Sequence, residues 1–235
     1  MYYGLGAHFT HAGEGINIPK YVANSPNKTV LKGLYMFRSY LITFTLISFS
    51  GAANTFEEDI SAALVERTTH SITYNGAYYS IGYPGGDVPS NIGVCTDVII
   101  RSYRKLGVDL QKRVHEDMQA HFSQYPSKRI WGLSKPDKNI DHRRVPNLQV
   151  YFKRHGAVLA KSTNPDDYQV GDIVTWMLPG NLPHIGMVVS ESTKEGNNPL
   201  IVHNIGRGPE KSDMLFYYPI TGHYRYSKEH FSTAN

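Results

Sequence analysis

Cys95 is the only thiol in the chain, and it opens a segment, Cys95 to Leu106 (CTDVIIRSYRKL), whose apolar residues recur at helical spacing. A thiol at a helix start is stabilised as the thiolate by the positive end of the helix dipole and by free backbone N–H groups. Those groups can also receive the oxyanion of a tetrahedral intermediate. His184 begins a strand-like run (HIGMVVS), and His203 lies in the next one (LIVHNI). Adjacent antiparallel strands can set the two imidazoles side by side on one face. One ring then takes the thiol proton and the other orients it, which is the logic of acyl transfer through a cysteine nucleophile. Against this stands a plainer reading. A lone cysteine is commonly a small buried hydrophobe, and strand histidines are commonly held in a core by backbone carbonyls.

The elements that must position these residues are legible in outline. Thr55 to Thr69 reads as a surface helix, with acidic residues early and Arg67 late, as the helix dipole favours. Tyr74 to Asn91 is turn-rich and aromatic, an ordered loop with room for a short strand. In the Cys95 helix, Val98, Ile99, Ser102, Tyr103 and Leu106 form the stripe, and Gly107 is a natural stop. Val114 to Phe122 suggests a second helix, residues 126–147 a polar loop, and Leu148 to His155 a short helix closed by Gly156. Strands are expected at Asp172 to Leu178, His184 to Ser190, Leu200 to Ile205 and, more weakly, Leu215 to Tyr218. Helices followed by an antiparallel sheet make an α+β arrangement.

Composition narrows the class. With 40% hydrophobic and 19% charged residues in 235, the chain is neither disordered nor a coiled coil. One cysteine excludes an intrachain disulfide and any multi-cysteine zinc site. The net charge of +4 sits early: residues 1–53 hold Lys20, Lys28, Lys32 and Arg38 against Glu14. The rest is nearly neutral, which argues against a nucleic-acid footprint. No cofactor motif is visible, and no metal or organic cofactor is needed for the expected chemistry. From Met36, the chain reads as a secretory signal: Arg38, a short apolar core from Leu41 to Phe49, then Gly51-Ala52-Ala53. Residues 1–35 are therefore expected to be a non-native or disordered extension, 36–53 a signal peptide, and 54–235 the working domain. Export to the periplasm or outside follows, with membrane contact only through the signal.

Longer stretches carry a family resemblance. GVCTDVIIRSYRKLGVDL, VGDIVTWM, HIGMVVS and LIVHNI resemble, in order, the cysteine helix and the strands of the NlpC/p60 and CHAP branch of the papain-like fold. More narrowly, YPGGDVPSNIGVCTDVIIRSYRKLGVDLQ, VHEDM, PDKNIDHRRVPNL, HIGMVV, IVHNIG and ITGHYRY look like a bacterial family of unknown function, number 1287. That likeness runs from about residue 57 to 227. The resemblance implies a papain-like, NlpC/p60-type fold, with Cys95 as nucleophile, His184 as general base and His203 as the third polar residue. It also implies an upstream tyrosine lining the oxyanion site, Tyr83 by spacing with Tyr79 as alternate. The usual aspartate–cysteine–serine–glycine start is Val94-Cys95-Thr96-Asp97 here, so contacts beside the nucleophile need not be the same.

Other residues take more than one reading. Asn204 replaces His203 as the orienting group if the strand phase is reversed. Asp97 suits a local cap or ion pair better than a catalytic role. Arg143 and Arg144 suit a substrate carboxylate or a structural salt-bridge loop. His115-Glu116-Asp117 reads as a solvated turn, His223-Tyr224-Arg225 as packing for the final strand, Trp176 as core, and Trp131 as groove or core. The expectation is an exported, monomeric cysteine hydrolase cleaving amide bonds, with peptidoglycan stem peptides as substrate. The alternatives are an acyltransferase or transpeptidase on the same triad, or a non-catalytic wall-binding or partner-binding module.

Overall fold

The computed structural model describes residues 53–232, so the extension 1–35 and all but the last residue of the signal segment 36–53 lie outside the described residues. Helix α1 (Phe56–Arg67) starts at a capping box in which Thr55 Oγ1 accepts the Glu58 N–H and the Glu58 carboxylate accepts the Thr55 N–H. It is more than a surface helix: Ile60, Ala63 and Leu64 are buried. Strand β1 (Thr73–Tyr74) pairs in parallel with β2 (Ile92–Gly93), and β2 runs straight into α2 (Cys95–Lys105). Helix α2 ends at Gly107, whose φ of 80° is the left-handed conformation a glycine supplies without strain.

Helix α3 (Leu110–His121) starts four residues before the expected Val114, because Asp109 caps it by accepting the Lys112 N–H at 3.2 Å. His115, Glu116 and Asp117 lie within this helix rather than in a solvated turn. Asp117 is buried and takes two hydrogen bonds from Arg154 and one from the Tyr125 hydroxyl. The expected loop 126–147 contains α4 (Ser127–Trp131), closed by Gly132 at φ 67°, and a 3₁₀ turn at Asp141–Arg143. Helix α5 (Val145–His155) begins before the expected Leu148, since Pro146 fits a first turn that needs no N–H.

The sheet comprises β3 (Ala157–Val158), β4 (Asp172–Leu178), β5 (Leu182–Ser192), β6 (Pro199–His203), β7 (Glu210–Ser212) and β8 (Ile220–Arg225), followed by α6 (Lys228–Ser232). Its order is β3-β8-β4-β5-β6-β7, with every pairing antiparallel. The expected strand at Leu215 to Tyr218 does not form. Met214 and Leu215 are instead buried in a turn under the sheet, where the Leu215 carbonyl accepts the Trp176 indole N–H at 2.9 Å.

Alternation along the strands sorts the core into two layers. Ile173, Ile185, Met187, Val189 and Val202 pack against Ile60, Leu64, Val98, Ile99, Leu148 and Phe152 of the helices. Val174, Trp176, Val188 and Ile201 face the other way, onto Tyr168, Met214 and Leu215. The chain is thus an α+β protein with its helices on one face of an antiparallel sheet. At the end of β4, Asp172 is buried and binds Arg225 and His223 of β8, so the expected packing role of His223 and Arg225 is an ionic clamp.

Candidate functional site

The first turn of α2 presents Cys95, which is 4% exposed. The backbone N–H groups of Ile185 and Thr96 and the Tyr74 hydroxyl act on its sulfur in the direction that favours the thiolate. Burial outweighs these donors and pushes the thiol up to about 11, with the Asp97 charge adding to the rise. Burial, then the neighbouring sulfur, raises Tyr74 to about 12. Tyr74 reaches the cysteine because β1 lies parallel to β2, the strand that feeds α2.

Asp97 closes the helix start. Its Oδ2 accepts the Val94 N–H at 2.7 Å, and both carboxylate oxygens accept from Arg143 at 2.9 Å. Arg143 also donates to the carbonyls of Ala77 and Asn75, and its own carbonyl accepts the Thr96 hydroxyl at 3.0 Å. Asp97 is therefore a cap and an ion pair at once, and Arg143 is mainly structural. Arg144 differs. It stacks over Trp131 at 4.0 Å and donates to Asp141, whose carboxyl burial raises to about 6.

These residues wall a cleft of about 670 Å³ lined by Tyr74, Cys95, Trp131, Arg143, Arg144 and Pro183 among others. Across Pro146, a more open depression of about 890 Å³ carries the exposed Lys128, Arg129 and Lys153, and no carboxylate among the described residues lines it.

The imidazoles form their own chain. His184 Nε2 lies 3.1 Å from His203 Nδ1, and His203 Nε2 lies 2.7 Å from Ser212 Oγ. Register explains the diagonal: His203 stands opposite Gly186, and Ser212 opposite Ile201, so the three groups step obliquely over β5, β6 and β7. Gly186 leaves the gap. A Cβ there would meet Ile201 Cγ2 at 2.7 Å and His203 Cβ at 3.1 Å. Burial lowers His184 to about 3, with the neighbouring His203 adding to it, and lowers His203 to about 4, so both rings are neutral at neutral pH.

Cysteine and imidazole meet at the end of β5 rather than on one face. His184 stands opposite Trp176, on the face away from the helices, whereas Cys95 belongs to the helical layer. The link is Ile185, the residue after His184, whose N–H reaches the sulfur. Among the described residues no hydrogen bond joins Cys95 to His184.

Three expectations need correction. Tyr83 packs against His115 at 5.0 Å, under Lys138, and does not line the Cys95 cleft. Tyr79 accepts a hydrogen bond from Asn75 and is also absent from the cleft wall. Asn204 does not replace His203: its side-chain oxygen accepts the Gly206 N–H at 3.0 Å, and its Nδ2 is buried with no hydrogen-bond partner among the described residues. Sequence reasoning misses Tyr74 and Ser212. Each sits on a strand of two or three residues, too short to leave a periodic signal.

Fold and site together define an α+β domain with a buried helix-start thiol beside a cleft, and a histidine–histidine–serine chain at its edge. Residues 61–226 match the family described as Domain of unknown function (DUF1287), and the chain belongs to that family. It is 53% identical over 156 residues, 66% of this chain and 75% of the relative, to Uncharacterized protein YijF of Escherichia coli (strain K12).

Proposed function

We propose that this is an exported cysteine hydrolase of papain-like, NlpC/p60-type fold that cleaves amide bonds in peptidoglycan stem peptides. One observation carries the reading: a buried polar chain begins at His184, one residue before the N–H that reaches Cys95, at the edge of an open cleft. Buried polar groups are costly unless paired, and this chain pairs two buried imidazoles with each other and with the half-buried Ser212.

In the proposed reaction the Cys95 S–H proton passes to Nδ1 of His184 as the sulfur attacks the scissile carbonyl carbon. In this reading, backbone N–H groups at the start of α2 and the Tyr74 hydroxyl stabilise the oxyanion. The imidazolium returns the proton to the leaving amine, giving a thioester. Water, deprotonated by the same ring, then releases the acid and restores the thiol. The resting pair is neutral, so proton transfer accompanies attack rather than preceding it. The exposed Lys128, Arg129 and Lys153 suit the carboxylates that stem peptides carry.

A second reading is favoured by the thiol at about 11 and its lack of a bond to His184: a non-catalytic cleft that binds the same acidic peptides. Digestion of purified peptidoglycan beside Cys95→Ala, with products read by mass spectrometry, separates the two. Fragments released by the wild type alone support the hydrolase. Retained binding with no fragments from either protein moves the assignment to the binding module.

A further inference from the structure

We propose that Ser212 is a positioning residue that sets the tautomers of His203 and His184, holding Nδ1 of His184 free of a proton and ready to accept one. The inference rests on the reading of His184 as the base for Cys95, but it is tested without any substrate.

Each neutral ring carries one N–H, so the contacts at 3.1 and 2.7 Å admit two concerted arrangements. In the first, His203 Nε2–H donates to Ser212 Oγ. Its bare Nδ1 then accepts from His184 Nε2–H, and His184 Nδ1 is left bare. In the second, the Ser212 hydroxyl donates to His203 Nε2 and every proton shifts along the chain. His184 Nδ1 then carries a hydrogen and has no basic lone pair. Only the first arrangement can take the thiol proton, and it survives the transfer, because a protonated His184 still donates through Nε2.

Two features select the first arrangement. Among the described residues His184 Nδ1 has no hydrogen-bond acceptor, so a hydrogen there is an unpaired donor, whereas a bare nitrogen keeps its lone pair for an incoming proton. At the other end, Ser212 lies half-buried on β7, the last strand of the sheet, and His203 is the only hydrogen-bond partner of its side chain among the described residues. The Ser212 hydrogen can turn outward to water while a lone pair faces the ring. A hydroxyl makes the fewest demands in this position, since it accepts from the ring without a charge that would itself need burial. Gly186 opposite His203 keeps the ring free to reach both partners.

The experiment is tautomer assignment by long-range ¹H–¹⁵N correlation on the full chain with ¹⁵N-labelled histidine, at neutral pH. The wild type is expected to show Nε2–H at both His184 and His203. Ser212→Ala should lower the Nε2–H to Nδ1–H ratio at His203 roughly tenfold, the factor that a single hydrogen bond supplies, and His184 should follow. Ser212→Thr, which keeps the hydroxyl, should restore the wild-type pattern. Amide spectra check that each variant is folded. Nδ1–H at His203 in the wild type, or ratios that Ser212→Ala leaves unchanged, overturns the proposal. Correct tautomers with no peptidoglycan cleavage leave it standing and defeat only the hydrolase reading.

Discussion

The guanidinium of Arg143 grips both carboxylate oxygens of Asp97 at 2.9 Å, tying the 3₁₀ turn before α5 to the first turn of the cysteine helix. Both side chains are almost wholly buried. The carboxylate also holds the Val94 N–H, so one interaction fixes the backbone immediately before Cys95 and the wall of the cleft.

Breaking that pair from one side leaves a buried charge uncompensated. Arg143→Met should destabilise the fold by about 3–5 kcal/mol. The double variant Asp97→Asn, Arg143→Met should lose less, since no lone carboxylate remains. Urea midpoints of the two variants decide it, and equal losses would show that the pair is not coupled.

Gly186→Ala places a methyl against Ile201 and His203. Forced repacking of this kind costs about 1–3 kcal/mol. Because His203 is among the residues that must give way, the contact between the imidazoles should lengthen along with the loss. Cross-ring nuclear Overhauser effects between His184 and His203 should weaken more than those between Ile185 and Val98. A uniform change would argue for general loosening.

Acid should unfold the domain earlier than its carboxylates alone require. Burial holds His142 and His184 at about 3 and His203 at about 4, whereas an unfolded histidine titrates near ~6.5. Between those values the unfolded chain binds more protons, so stability is present above pH ~6.5 and falls as pH drops. Asp141, raised to about 6, works the other way: between ~3.9 and 6 the folded state binds more protons, so its contribution grows as pH falls through that range. Three histidines outweigh one carboxyl. Urea midpoints should decline from pH 7 to pH 5, and His203→Gln should flatten the slope. A midpoint that rises on acidification would contradict the assignment.

Cys95 should react slowly in the resting protein. With its thiol at about 11, alkylation by iodoacetamide at pH 7.5 should run at least about a hundredfold slower than for a free cysteine. Tyr74→Phe removes a donor to the thiolate and should slow it further. Rates followed by mass spectrometry from pH 6 to 11 test both. Fast alkylation at pH 6 to 7 would instead reveal a preformed thiolate–imidazolium pair.

Much of the fold is legible in the sequence because it repeats. The stripe from Cys95 to Tyr103 with its stop at Gly107, the alternation in Asp172 to Leu178 and the run after His184 each extend over several residues with a fixed period. Leu215 misleads because an apolar residue buried in a turn looks like one in a strand. The loop expected at 126–147 misleads in the opposite way: α4 has five residues, too few to show a period above its polar surroundings.

By itself the sequence determined that a thiol would open an amphipathic helix, and that two histidines would lie on neighbouring strands of an antiparallel sheet. Only the tertiary structure decided what those groups touch. Tyr74 reaches Cys95 through a two-residue parallel pairing, and Ser212 reaches His203 through an edge strand of three residues. The two sheet faces also set the thiol and the imidazoles in different layers, with Ile185 next to His184 on the thiol's side. Periodicity is a local property of the chain, whereas register, crossing and face depend on how distant segments pack. A cysteine and a histidine far apart in sequence acquire a distance only when the core closes between them.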